Sequence, residues 1–207
     1  MKIRKVEEEQ PITAQARSPK ELLILDCALK LLIETGDAGL TLRKLAETAG
    51  MRLSNVQYYF SSRDEVLAAM VSRYFDECTA SLVTLTQQSE AATAEERVRF
   101  LVRTGLSHGQ EISDMCRAFR EIWAISSRNT VIDQCLMDYY RNFSDVMTDF
   151  AFPGGLDAQV RKQLQALLIP FFEGYSITAR SLPLTTEEAA EMLTALTLSI
   201  VEGQNRQ

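Results

Sequence analysis

Apolar residues recur every three or four positions along most of the chain, which is the spacing of helices with one buried face. The first stripe follows a start signal in which Ser18 is a predicted N-cap, Pro19 lies in the first turn and Glu21 completes a capping box. Gly36 is predicted to end this helix. The apolar positions of the stripe are Leu22, Leu25, Leu29 and Leu32.

Similar stripes predict helices through the rest of the chain. Beyond the first 62 residues, they cover 63–88, 94–108, 112–126, 129–150, 157–180 and 185–202. The 112–126 segment could be one helix or two, with a break near Ser113 or Arg120. Pro170 lies inside a predicted helix and is expected to kink it, because proline lacks an N–H and clashes with the preceding turn. No segment shows the alternation of a strand, so the pattern predicts an all-α fold.

The segment from Thr41 to Arg63 has the pattern of two short helices joined by a turn. Thr41 is predicted to cap the first helix, and Gly50 supplies the left-handed residue that stops it. The inward positions of the second helix are Leu53, Val56 and Phe60. Its outward positions are Ser54, Asn55 and Tyr58, flanked by Gln57 and Tyr59. This arrangement is typical of a helix-turn-helix that enters the major groove of duplex DNA.

The outward side chains suit the two kinds of contact that DNA offers. Asn55 and Gln57 carry amides that both donate to and accept from a base edge, whereas the phenols of Tyr58 and Tyr59 can donate to phosphate. Positive charge surrounds them at Arg43, Lys44, Arg52 and Arg63. The alternative is an ordinary helical hairpin with a solvated polar face, against which two adjacent exposed tyrosines argue.

The charge of the chain is unevenly distributed. The 207 residues contain 22 Lys+Arg and 28 Asp+Glu, for a net charge of -6, which would repel a polyanion if it were spread evenly. Residues 1–63, however, carry ten basic and eight acidic side chains, whereas the remaining 144 carry twelve and twenty. A basic head on an acidic body can bind phosphates through the head alone.

Other chemistry in the sequence is sparse. The four cysteines, Cys27, Cys78, Cys116 and Cys135, form no CxxC pair and are interpreted as reduced packing residues of a cytoplasmic protein, with a thiol sensor as the alternative. His108 is the one histidine, and no metal-binding, nucleophile or phosphate-loop motif is present. We therefore expect no metal, no cofactor and no enzyme activity.

The C-terminal half offers candidates for two further surfaces. Two helices with wide apolar stripes are predicted to form a dimer interface, the alternative being ordinary intramolecular core. The interface candidates are Val160, Leu164, Leu167, Leu168, Phe171, Met192, Leu193, Leu196 and Ile200. Bulky residues of the middle helices are candidates for a ligand pocket, although an aromatic stripe also suits a packed core. These are Met115, Phe119, Trp123, Tyr139, Tyr140, Phe143, Phe171, Phe172 and Tyr175, with His108 and Arg120 as possible polar anchors.

The motif TLRKLAETAG, the helix ending YYF and the following SSRDEVLAA resemble the TetR family of bacterial transcriptional regulators over roughly Pro19 to Met70. The resemblance implies a homodimer that binds a palindromic operator, usually represses, and releases DNA when a small molecule fills a cavity in the larger domain. It places operator contacts at Thr41, Arg43, Arg52, Leu53, Ser54, Asn55, Gln57, Tyr58, Tyr59 and Arg63. It also implies an arm at residues 1–17, a DNA-binding domain at 18–64 and a ligand-binding and dimerisation domain at 65–207.

Three positions depart from the usual family pattern. Ser54 replaces a frequent glycine and could itself be an N-cap, Gln57 replaces a frequent tyrosine, and Arg63 replaces a frequent lysine. The basic residues of the arm, Lys2, Arg4 and Lys5, could contact a minor groove or have no role. The leading hypothesis is a ligand-responsive dimeric repressor, and the alternative is an all-helical interaction protein that does not bind DNA.

Overall fold

The computed structural model describes residues 17–107 and 113–204, and within them it contains helices and no strand. The α-helices are α1 (Pro19–Gly39), α2 (Leu42–Thr48), α3 (Leu53–Tyr59), α4 (Arg63–Gln88), α5 (Ala94–Leu106), α6 (Asp114–Ser126), α7 (Thr130–Ala151), α8 (Ala158–Thr178) and α9 (Thr186–Gln204). A 3-10 turn at Ala179–Ser181 follows α8. The all-α prediction is confirmed.

Helix starts follow the local capping signals closely. Ser18 and Glu21 form the predicted capping box, in which the Glu21 N–H donates to Ser18 Oγ at 3.3 Å and the Ser18 N–H donates to the Glu21 carboxylate at 2.7 Å. At α4 the box is modified: Ser62 Oγ accepts from the Glu65 N–H, but the Glu65 carboxylate accepts from Ser61 instead. Each start supplies acceptors for N–H groups that the first helical turn leaves unpaired.

Helix α1 differs from the prediction at its C-terminal end. Gly36 leaves the helical conformation with φ +69° and ψ -177°, a region that side-chain-bearing residues avoid, yet helical turns resume to Gly39. The carboxylate of Glu121 on α6 lies against this kink and accepts the Asp37 N–H at 3.1 Å. Gly36 therefore marks a bend at which α6 contacts the end of α1.

Two apolar cores hold the helices together. The first buries side chains of α1, α2, α3 and the first half of α4 together with residues of α6 and α7 such as Ile122, Ile132 and Leu136. The second lies among α5, α7, α8, α9 and Leu82 of α4. Because the first core includes side chains of α1–α3 as well as of α6 and α7, it continues across the predicted domain boundary at residue 64.

The middle and C-terminal helices resolve the remaining expectations. Ser113 is the N-cap of α6, which continues through Arg120 as one helix. Helix α8 runs through Pro170, whose side chain is exposed. Over the described ranges, no helix combines the length and the apolar character needed to cross a bilayer.

Candidate DNA-binding surface and ligand cavity

Helices α2 and α3 are held at a fixed angle by a short turn. Thr41 caps α2, its Oγ1 accepting the Lys44 N–H at 3.2 Å. Gly50 adopts φ +63°, and the next N–H, from Met51, donates to the carbonyl of Ala46 at 2.9 Å. The inward side chain of Val56 is fully buried. The turn and the core therefore fix the direction of α3 before any ligand binds.

The opposite face of α3 is open to solvent. Tyr58 is 83% exposed, and Ser54, Asn55 and Gln57 are also exposed. Tyr59 is half-buried and meets Tyr58 edge to face, with ring centroids 5.1 Å apart. Ser54, Asn55, Gln57 and Tyr58 match the predicted outward set, and the amides and the Tyr58 phenol can meet a base edge or a phosphate. Tyr59, which is predicted to be exposed, packs against the first core.

Two further residues predicted to contact the operator, Leu53 and Ser54, lie in the first turn of α3. Leu53 is half-buried and packs against the first core. The N-cap of α3 is Arg52 and has no side-chain cap, so Ser54 lies inside the helix and is not the cap that its sequence allowed. The side chain of Ser54 is therefore left facing solvent.

Unpaired positive charge flanks α3. Arg43, Lys44 and Arg52 are exposed and take part in no ion pair within residues 17–107 and 113–204. Glu47 is the acidic side chain between them in sequence. Three free cations beside two exposed amides form a surface on which a phosphate backbone can be held by charge while bases are read by hydrogen bonds.

Arg63, at which the family resemblance places an operator contact, makes several intramolecular contacts. Its Nε donates to the carbonyl of Leu40 at 2.7 Å, and its Nη2 donates to the carbonyl of Asp37 at 2.8 Å. It also forms ion pairs with the carboxylates of Asp37 and Asp64. Because the guanidinium joins the start of α4 to the end of α1, we treat Arg63 as a positioning residue.

A cavity of about 580 Å³ lies inside the larger domain and extends to α1. Such a volume falls within the range of sites for small organic ligands. Its walls come from α1 and from α4 to α8. The lining residues are Leu29, Ile33, Tyr74, Glu77, Cys78, Ser81, Leu82, Leu85, Leu101, Thr104, Gly105, Asp114, Met115, Cys116, Phe119, Tyr139, Phe143, Met147, Ile169, Phe172, Glu173 and Ser176.

The predicted pocket residues divide between wall and support. Five line the cavity, namely Met115, Phe119, Tyr139, Phe143 and Phe172. Five others, Arg120, Trp123, Tyr140, Phe171 and Tyr175, lie outside the lining. His108 falls outside the described residues. The charged groups among the described lining residues are carboxylates, and the predicted Arg120 anchor is not one of them.

Arg120, Trp123 and Tyr140 make internal contacts instead. Arg120 Nη2 donates to the carbonyl of Ser176 at 3.1 Å. The indole N–H of Trp123 donates to the Tyr140 hydroxyl at 2.8 Å. Tyr140 in turn hydrogen-bonds to Glu173, so the only tryptophan of the sequence is two hydrogen bonds from the cavity wall.

Glu173 is the functional candidate that the sequence analysis missed. It lines the cavity on α8, and burial raises the pKa of its carboxyl to about 7, against a smaller lowering by the Tyr140 hydrogen bond. A signal existed: Glu173 is the only charged residue between Lys162 and Arg180. A lone acid that is partly buried on an apolar helix and has a raised pKa is typical of a functional site.

The four cysteines form no disulfide; Cys27, Cys78 and Cys135 pack against the first core, and Cys116 is buried. Burial raises the pKa of Cys78 to about 11 and also raises the pKa of Cys27 and Cys135. A thiol that stays protonated at neutral pH is a poor nucleophile, so these three sites favour packing over redox sensing. Cys78 and Cys116 also line the cavity.

The predicted dimer residues occupy two different environments. Val160, Leu164, Leu168 and Leu193 are buried within the protomer, where they pack in its own core and a partner cannot reach them. Met192 and Leu196 are 41% and 46% exposed. Leu167, Phe171 and Ile200 are partly exposed. The available apolar surface of α8 and α9 is therefore narrower than the predicted set.

A helix pair with a polar, exposed second helix, attached to a helical body that contains a cavity, is the arrangement typical of helix-turn-helix transcriptional regulators. The family model for bacterial regulatory proteins of the tetR family matches residues 24–70. The uncharacterized HTH-type transcriptional regulator in the dhlA 5′ region of Xanthobacter autotrophicus is 40% identical over 95% of this chain and 97% of its own length. The chain belongs to the TetR family.

Solved structures agree with this fold. SCO7518 from Streptomyces coelicolor A3(2) is 21% identical and superposes with a TM-score of 0.69 over 88% of this chain and 98% of its own. The multidrug binding protein EbrR, crystallised with malachite green, is 18% identical with a TM-score of 0.64 over 89% of this chain and 99% of its own.

Proposed function

We propose that the protein is a dimeric, sequence-specific repressor that a small molecule releases from a palindromic operator. The observation that carries the proposal is the pairing of an open α3 face with a cavity whose wall includes residues of α1. The exposed face of α3 is a site for DNA, and the cavity, which residues of α1 help to line, is a site for a ligand. Ligand-controlled regulation requires two such sites. Such a protein works where the chromosome is, in the cytoplasm.

Sequence reading is assigned to the α3 amides. Asn55 and Gln57 are exposed and can approach base edges in the major groove, where an amide pairs with adenine through two hydrogen bonds. Thr41, Arg43, Arg52, Tyr58 and Tyr59 are assigned to the phosphate backbone, which sets orientation without selecting sequence. Arg63 supports this surface by joining α1 to α4.

Dimerisation is assigned to the exposed apolar positions of α8 and α9. Met192, Leu196 and Ile200 follow each other at four-residue intervals, so they lie along one face of α9. Leu167 and Phe171 have the same spacing on α8, which packs beside α9. A symmetric pair joined through these helices would place two α3 helices about 34 Å apart, one turn of DNA.

Three elements link the cavity to the head. Leu29 and Ile33 belong to α1 and line the cavity directly. Helix α4 begins at Arg63, beside α1, and its Tyr74, further along the same helix, lines the cavity. Suppose that an effector binds more tightly to a conformation in which α1–α3 are misaligned with the operator. A difference in affinity of only about 1–3 kcal/mol between the two conformations would then weaken DNA binding severalfold or more.

The third link runs through α6. Met115 and Phe119 line the cavity, and Glu121 on the same helix accepts the Asp37 N–H at the α1 bend. A rigid shift of α6 would therefore be felt at the end of α1. That EbrR, a structural neighbour, was crystallised with malachite green supports a ligand role for a chamber in this fold.

Selection of bound fragments from random duplex DNA tests the proposal directly. We expect an inverted repeat whose half-sites are about one helical turn apart, with an affinity that falls steeply as salt rises. Enrichment of no sequence, with weak binding that is independent of salt, would favour the interaction-protein alternative and overturn the assignment.

Substitutions on α3 should separate reading from anchoring. Asn55→Ala and Gln57→Ala are expected to relax preference at particular base pairs, at a cost of about 1–3 kcal/mol each for the selected operator. Arg43→Ala is expected to weaken binding to all duplexes alike and to reduce the salt slope by about one. Lys162→Ala, which removes an exposed charge from α8, is the matched control and should change neither property. Equal losses for every variant on every sequence would contradict these roles.

A further inference from the structure

The charges on the cavity wall have one sign. Three carboxylates line it, those of Glu77, Asp114 and Glu173, and none of the lining residues in the described ranges is Lys, Arg or His. Two of the three are in settings that moderate their charge. Glu77 is paired with Arg73 at 2.7 Å, and Asp114 is an exposed residue in the first turn of α6.

Glu173 is the acid without such compensation. It forms no ion pair within the described parts of the chain, where its hydrogen-bond partner is the neutral hydroxyl of Tyr140. Arg120, the basic side chain of α6 that faces α8, is turned to the carbonyl of Ser176. A partly buried carboxylate that faces an apolar cavity without an ion-pair partner favours a ligand that brings a cation, because desolvated charge is costly unless it is paired.

Aromatic rings supply the rest of the wall. Tyr74, Phe119, Tyr139, Phe143 and Phe172 all line the cavity. Phe119 and Tyr139 lie 5.5 Å apart, and Tyr139 and Phe143 lie 5.2 Å apart, so the rings form a continuous group. The faces of aromatic rings carry negative potential and attract organic cations, including quaternary ammonium groups. Apolar surface and negative potential therefore coincide in one chamber.

We propose that the effector of this regulator is a hydrophobic organic cation, held with its charge toward Glu173 and its apolar part among the aromatic rings. The inference rests on the proposed function, since it names the ligand class of that same cavity. Anionic ligands are disfavoured because three carboxylates, and no basic side chain among the lining residues that the structure describes, face them. The cavity therefore favours a cation over an anion of the same shape.

Direct binding to the full-length protein without DNA tests the inference. Tetraphenylphosphonium and tetraphenylborate are suitable probes because they are hydrophobic ions of nearly equal size and opposite charge. Calorimetric titration should give an affinity for the cation at least about tenfold higher than for the anion. Benzyltriethylammonium provides a second cation of different shape and should follow the first.

A substitution at Glu173 assigns the preference to one residue. Glu173→Gln keeps the side-chain volume and removes the charge from the cavity wall, so we expect a folded protein whose affinity for the cation falls about tenfold while its affinity for the anion does not fall. Glu90→Gln, at an exposed position outside the cavity, removes the same charge from the chain and should leave both affinities unchanged.

The pH dependence gives an independent measure. The carboxyl pKa of Glu173 is about 7, so lowering the pH from above to below this value protonates it and should weaken binding of a permanent cation. Tyr139 and Tyr140 on α7 and Tyr74 on α4 have raised pKa values and stay neutral in this window. Cys78 and Glu77 face the cavity from α4, and Asp114 and Cys116 face it from α6, whose Arg120 donates a hydrogen bond to the carbonyl of Ser176. Glu173→Gln should flatten the profile.

The outcomes separate this inference from the proposed function. A protein that selects an operator but prefers the anion, or binds both ions equally, would overturn the cation inference and leave the repressor assignment standing. A Glu173→Gln variant with undiminished cation affinity would likewise overturn it. Cation preference in a protein that selects no DNA sequence would instead overturn the repressor assignment and support the cavity chemistry.

Discussion

Replacing Met192 and Leu196 together with glutamate is expected to produce a monomer and to weaken operator binding by about 100-fold or more. Both side chains are over two-fifths exposed on one face of α9, so the protomer itself loses little packing. Two like charges on each copy would face each other across a symmetric interface. A monomer retains one reading helix and loses the gain from binding two half-sites at once.

Analytical ultracentrifugation, which measures the oligomeric state, and measurement of the affinity for operator DNA on the same preparation check this result. Val131→Glu is the control, because Val131 is an exposed apolar residue in the first turn of α7 and belongs to neither of the two helices assigned to the interface. It should remain dimeric and bind the operator normally. A double variant that stays dimeric would show that the protomers join through another surface.

Replacing Arg63 with alanine is expected to lower the free energy of unfolding by about 2–3 kcal/mol and to abolish tight operator binding. The change removes hydrogen bonds to the carbonyls of Leu40 and Asp37 and leaves the Asp37 carboxylate without its principal partner. Because Arg63 is about one-third exposed, solvent recovers part of the loss. The end of α1 would then no longer be fixed to the start of α4.

Urea unfolding distinguishes this role from a phosphate contact. Arg63→Lys should recover only part of the stability, since an ammonium cannot reproduce the fork that reaches two carbonyls. Arg43→Ala serves as the control and should leave unfolding unchanged while weakening DNA binding. If Arg63→Ala weakened DNA binding at full stability, the operator contact implied by the family resemblance would be the correct role.

Local signals explain why the helices were predictable. The caps at Ser18, Thr41 and Thr93 satisfy donors within four residues of themselves, so their effect is visible in the sequence. The outward face of α3 follows from helical periodicity in the same way. Gly36 was less transparent, because a glycine signals a bend without stating whether helical turns resume beyond it.

Long-range contacts explain what the sequence did not reveal. Arg63 binds residues more than twenty positions earlier, and its engagement there is invisible to a local pattern. Apolar stripes identify buried faces but do not distinguish a protomer's core from an interface, which is why Leu164 and Leu193 stood beside Met192 in one prediction. Aromatic residues likewise include both cavity wall, as at Phe119, and supporting structure, as at Trp123.

The first core joins the reading head to α6 and α7 across residue 64, which bears on any attempt to exchange heads between family members. A graft that ends after α3 would place the core side chains of the foreign α1–α3 against Ile122, Ile132 and Leu136 of the original protein. Chimeric regulators built on this scaffold should therefore carry the head together with the inner faces of those later helices, as one transplanted unit.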